Sequence, residues 1–91
     1  MPRSPRTLHL YGVAHELGDK YYECVKNALH ASSDITDECR SLGTKYREAL
    51  IDLVEHCRGL EASNDRDILL STSSEHLKTI EDDLRHFASA T

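Results

Sequence analysis

Apolar residues recur at spacings of three and four in three separate segments, and this rhythm restricts the fold more than any other feature of the chain. The first segment carries Leu10, Ala14, Leu17, Tyr21, Cys24 and Ala28. The second carries Ile35, Cys39, Leu42, Tyr46, Ala49, Leu53, His56 and Leu60, and the third Leu70, Ser73, Leu77, Ile80, Leu84 and Phe87. An α-helix turns once in about 3.6 residues, so each series lines one helix face, whereas a strand would need alternation by two. The expected fold is all-α: an antiparallel, up-down-up three-helix bundle.

Punctuation in the sequence divides the helices. Ser4 before Pro5 offers an N-cap hydroxyl followed by proline at the first helical position, which predicts a first helix over about residues 5–30. Ala31-Ser32-Ser33-Asp34 reads as a turn, with Ser33 or Asp34 capping a second helix over 35–60. Asp37 and Glu38 suit the positive end of that helix. A second turn falls near 61–65, with Ser63 or Asn64 as cap, and a third helix follows to about residue 88. Turns this short make neighbouring helices antiparallel. The chain is one domain over 1–91, with fraying expected at 1–4 and 89–91.

Folding the three series about these turns aligns them in layers. Leu10 then faces His56, Ala14 faces Leu53, Leu17 faces Ala49, Tyr21 faces Tyr46 and Cys24 faces Leu42. On the other side His56 faces Ser73, Leu53 faces Leu77, Ala49 faces Ile80, Tyr46 faces Leu84 and Leu42 faces Phe87. Gly12, Gly18 and Gly43 interrupt helices at up to about 1 kcal/mol each relative to alanine, so a bend or a close approach is expected there.

At 91 residues with 30% charged side chains and no tryptophan, the core is adequate rather than generous, which favours a partner or self-association. The net charge of −5 disfavours direct nucleic-acid binding, which needs clustered Lys and Arg. No segment approaches the roughly 20 apolar residues of a membrane span. The start, with Arg3, Arg6 and a short interrupted apolar run, makes a poor secretory signal and is read as part of the first helix. Three cysteines, Cys24, Cys39 and Cys57, form an odd set without CxxC spacing, so a reducing cytoplasmic setting with small buried thiols is expected.

No catalytic constellation emerges, and the expectation is that the chain is not an enzyme. Ser71, Ser73 and Ser74 lack a nucleophile elbow or a placed acid, and glycine-rich phosphate loops are absent. Six histidines invite a metal reading, yet they show no HxxxH or ExxH spacing, so no metal or cofactor is expected. His56 occupies a core position and needs a polar partner, for which Ser73 is the candidate. His76-Leu77-Lys78 resembles, over three residues, the exposed-histidine motif of phosphotransfer bundles. That family places a residue between His and Leu and a glycine after Lys, where this chain has Thr79, and a solvated flank histidine is the reading adopted.

What remains is surface. Beside the core series of the first helix runs a second line, Tyr11, His15, Gly18, Tyr22, Val25 and Leu29. Tyrosine is enriched at interfaces and glycine permits close approach, which makes this line the candidate partner-binding stripe. A bundle helix facing two neighbours also needs a broad apolar arc, so part of the line can belong to the core. Leu50, Val54 and Cys57 are expected to complete the core near Leu8 and Val13. The functional expectation is a protein-binding module: an adaptor, chaperone, complex subunit or regulatory inhibitor of the kind phages and bacteria encode. Its partner is another protein or a second copy in a homodimer. The alternatives are a histidine-using ligand-binding or phosphotransfer bundle, and an acidic inhibitor that occupies a nucleic-acid groove through Glu81, Asp82 and Asp83.

Overall fold

The computed structural model describes residues 5–31 and 37–89, the last three by backbone alone. It contains three α-helices, α1 (Pro5–His30), α2 (Asp37–Arg58) and α3 (Asn64–Ser89). The fold is the all-α, up-down-up bundle that the periodicity predicts. Every described residue of the three apolar series is buried or half-buried. The expected caps Ser4, Ser33 and Asp34, together with Ile35 and the Leu42–Phe87 pairing, lie outside the described residues.

Local chemistry explains the described ends. Pro5 opens α1, where its missing N–H costs no intrahelical bond. The N–H of Ala31 donates to the Asn27 carbonyl at 3.0 Å. Helix α2 stops at Arg58, earlier than expected, because the N–H groups of Gly59 and Leu60 donate to the carbonyls of His56 and Cys57, each at 3.1 Å. These bonds span three residues and tighten the last turn. The Ser63 hydroxyl then accepts the Arg66 N–H at 3.0 Å and caps α3, as read from the sequence.

Ala14, Tyr21, Tyr46, Ala49, Leu50, Leu53, Cys57 and Ile80 form the buried core. The axial register of α1 on α2 keeps the expected layer at the middle, where Tyr21 stacks on Tyr46 with ring centroids 6.3 Å apart, and departs from it toward both ends. Cys24 is bonded to Cys39, with Cα atoms 5.6 Å apart, where Leu42 was expected. Likewise His56 finds Thr7 where Leu10 was expected, with a hydrogen bond of 2.7 Å between its Nε2 and the Thr7 hydroxyl. Both partners are displaced by about one helical turn. A slide of that size returns the same face of a helix to its neighbour, so periodicity alone leaves it open.

Two glycines hold the observed register. A β-carbon at Gly18 would lie 2.9 Å from Cε1 of Tyr46, and one at Gly43 would lie 3.0 Å from Cε1 of Tyr21. Each helix therefore lends a tyrosine to a glycine notch on the other. The close approach expected at these glycines is to a ring. Gly12 faces open space instead.

Helices α1 and α3 each pack along α2, but among the described residues no Cα of α1 comes within 8 Å of one in α3. They meet through side chains, as where the Tyr21 hydroxyl donates to Asp83 at 3.2 Å. The consequence is a furrow between α1 and α3 with α2 as its floor.

Candidate functional site: the furrow between α1 and α3

Helical periodicity places Tyr11, His15, Gly18 and Tyr22 on the side of α1 that turns from α2 toward α3. All four line a hollow of about 240 Å³, whose floor includes Tyr46, Leu50 and Leu53 and whose far wall includes Leu69, Thr72 and His76. A second hollow of about 460 Å³ continues it toward the start of both helices, between Thr7, Leu8 and Tyr11 on one wall and Asp65, Ile68 and Leu69 on the other. Tyr11, Leu69 and Thr72 belong to both.

Large apolar side chains stand exposed around this furrow. Leu8 and Ile68 are each 57% exposed, Tyr11 is 49% and Tyr22 is 45%. Leu29, at 69%, is exposed as well but lies outside both hollows. Leu8 therefore does not complete the core, although Leu50, Val54 and Cys57 are buried as expected.

Apart from Leu29, the stripe read from the sequence divides into three parts. Tyr11, His15 and Tyr22 present accessible side chains to the furrow. Gly18 is buried and serves as the notch for Tyr46, while Val25 is half-buried against the core. The sequence reading missed the opposite wall, above all Ile68. The available signal was the spacing of Asp65, Ile68, Leu69, Thr72 and His76, a line running beside the core series of α3.

Aromatic contacts give the α1 wall a defined shape. The rings of Tyr11 and His15 stack with centroids 5.9 Å apart, and His15 lies 3.5 Å from Asp19. Tyr22 meets Tyr21 and Tyr46 edge-on, at centroid distances of 5.0 and 6.1 Å. Burial, followed by the nearby Tyr22 and Asp19, pushes the Tyr46 phenol up to about 12. Burial also raises Tyr21, and the Asp83 carboxylate that accepts its hydrogen bond adds to the effect. Both phenols stay neutral and act as wedges, and Tyr21 also acts as a donor.

Comparison with protein-family models, curated proteins and solved structures yields no match.

The other candidate features find partners within the fold. Glu81 pairs with Arg47 across α2 and α3 at 3.0 Å, Asp82 with Arg85, and Asp83 with Tyr21. The dense acidic run is thus spread over three separate contacts. Burial raises the Cys57 thiol, an effect that Arg66 opposes. Among the described residues no group of three or more His, Cys, Asp and Glu is placed to hold a metal ion. None of the described helices is long and apolar enough to cross a membrane.

Proposed function

We propose that this chain is a non-enzymatic protein-interaction module that acts through the furrow between α1 and α3. The observation that carries the reading is the gathering of Leu8, Tyr11, Tyr22 and Ile68 along one furrow, each with about half or more of its surface exposed. Contiguous exposed apolar side chains on a small domain mark a binding surface, and tyrosine supplies large contact area at little entropic cost. Adaptor, chaperone, complex subunit and inhibitor are all roles such a surface can fill. A homodimer is its simplest form.

Affinity capture from the native host, run side by side with wild-type protein and a Tyr11→Asp/Ile68→Glu double variant, tests the reading. The expected result is a protein retained by the wild type and lost from the variant, with both folded by circular dichroism. Equal capture by both overturns it. Light scattering of the same pair decides the dimer, since a monomeric mass for the wild type removes that form.

The compartment is proposed from the cysteines. The Cys24–Cys39 bond fits an oxidising setting better than the reducing cytosol that an odd cysteine count suggests.

A further inference from the structure

Building on the furrow as a protein-binding surface, we infer that its occupant is a single amphipathic helix with basic flanks, supplied by another protein. Three observations lead there: shape, charge and the chain's own surface.

The furrow already has the walls of a helix site. Two parallel helices stand apart over a floor formed by a third, so an added helix would complete a four-helix arrangement. From Leu8 to Tyr22 the α1 wall rises about 21 Å at ~1.5 Å per residue, which matches a helix of about 15 residues. Docked in this way, apolar side chains at i, i+3, i+4 and i+7 of the occupant meet Leu8, Tyr11, Ile68 and Leu69, the helix-in-groove mode of recognition.

Charge selects the flanks. Among the described residues, Asp19 and Asp65 are the only Asp, Glu, Lys or Arg lining the two hollows; Asp19 lies 3.5 Å from His15, and His76 stands on the far wall. Asp65 stands near the end shared with Thr7 and Leu8, and Asp19 stands beyond Tyr11 toward Tyr22, on the opposite wall. A helix laid between them passes one carboxylate near each end and on each side. Lys or Arg at those points gains attraction, while Asp or Glu is repelled. The chain's net charge of −5 steers in the same direction.

The same features weigh against a second copy. A two-fold dimer through this face would appose two copies of one acidic, lysine-free surface. Outside the furrow the chain offers Leu29 as its one large exposed hydrophobic among the described residues, which is too little for an apolar helix face.

The test uses two designed peptides of about 18 residues with one common leucine face, flanked by Lys in the first and by Glu in the second. Fluorescence anisotropy measures each against the whole protein. The expected result is at least tenfold tighter binding of the Lys peptide, with that binding lost in Ile68→Glu. An Asp19→Lys/Asp65→Lys variant should reverse the order of the two peptides. A Lys peptide that binds Ile68→Glu as well as wild type overturns the inference, since attraction to an acidic protein then explains it without the furrow. Equal or absent binding of both peptides overturns it too, as does a wild-type dimer that Ile68→Glu dissociates. These outcomes are separable from failure of the broader reading. If host capture still depends on Tyr11 and Ile68 while the Lys peptide fails, the furrow remains the binding surface and only the basic helix falls.

Discussion

The ring of Tyr46 lies against the backbone of Gly18, so close that a β-carbon there would come within 2.9 Å of Cε1 and 3.0 Å of Cζ. About one turn along, Tyr21 does the same to Gly43, in the opposite direction between the helices. Tyr21 is only 1% exposed and is tied to Asp83, and Tyr46 is buried with its ring edge-on to Tyr22, so a β-carbon at either glycine would displace a ring already in contact.

Alanine substitution should therefore have opposite signs at different glycines. At Gly12, where a β-carbon meets nothing within 4 Å, Gly12→Ala gains helix propensity and should stabilise by up to about 1 kcal/mol. At Gly18 the same gain is outweighed by overpacking, which typically costs about 1–3 kcal/mol, so Gly18→Ala should destabilise on balance. Urea denaturation of both variants against wild type reads the two signs directly. A stabilised Gly18→Ala would show that the tyrosine notch does not hold the register.

The Cys24–Cys39 bond closes a loop with a sequence separation of 15, for which chain-entropy arguments give about 3 kcal/mol. Reduction, or Cys24→Ser, should lower stability by about 2–4 kcal/mol and depress Tm by about 8–30 °C, at about 4–8 °C per kcal/mol. Thermal melts with and without a thiol reductant measure this. Cys57 is buried and free, so alkylation of folded, non-reduced protein should be slow.

Alkaline pH should unfold the bundle through its buried phenols. Tyrosine titrates near pH 10 when unfolded, while Tyr46 in the fold is pushed up to about 12, so the folded state holds its proton longer. The stability this contributes is complete below about pH 10 and is lost as pH rises from there through about 12. Denaturation midpoints across that window should fall for wild type and fall less for Tyr46→Phe. Identical pH profiles would contradict the assignment.

His56 depends on Thr7, a residue near the start of α1 that no apolar pattern singles out. Thr7→Val keeps the volume but removes the hydroxyl from a nearly buried position, and should cost about 1–3 kcal/mol by leaving the imidazole short of a partner. His56→Leu made in the Thr7→Val background should recover part of that loss. A double-mutant cycle on stability measures the coupling, and a coupling near zero would show that the pair does not act as a unit.

The sequence by itself determined that there are three helices, which faces they bury and how consecutive helices run. Those properties rest on local periodicity, on Pro5 and Ser63 as start signals, and on turns too short for anything but antiparallel return. It also set the line Tyr11, His15, Gly18, Tyr22, Val25 and Leu29 beside the core series, without deciding which of them the core uses. Only the tertiary structure decided the axial register, because a helix displaced by one turn offers its neighbour an equivalent face. The Cys24–Cys39 bond and the two tyrosine–glycine notches select one register from that set. The tertiary structure likewise decided that Gly18 turns inward while Leu8 and Ile68 turn outward. Which side of a helix is left uncovered depends on how far α1 stands from α3, and that distance is encoded in neither helix alone.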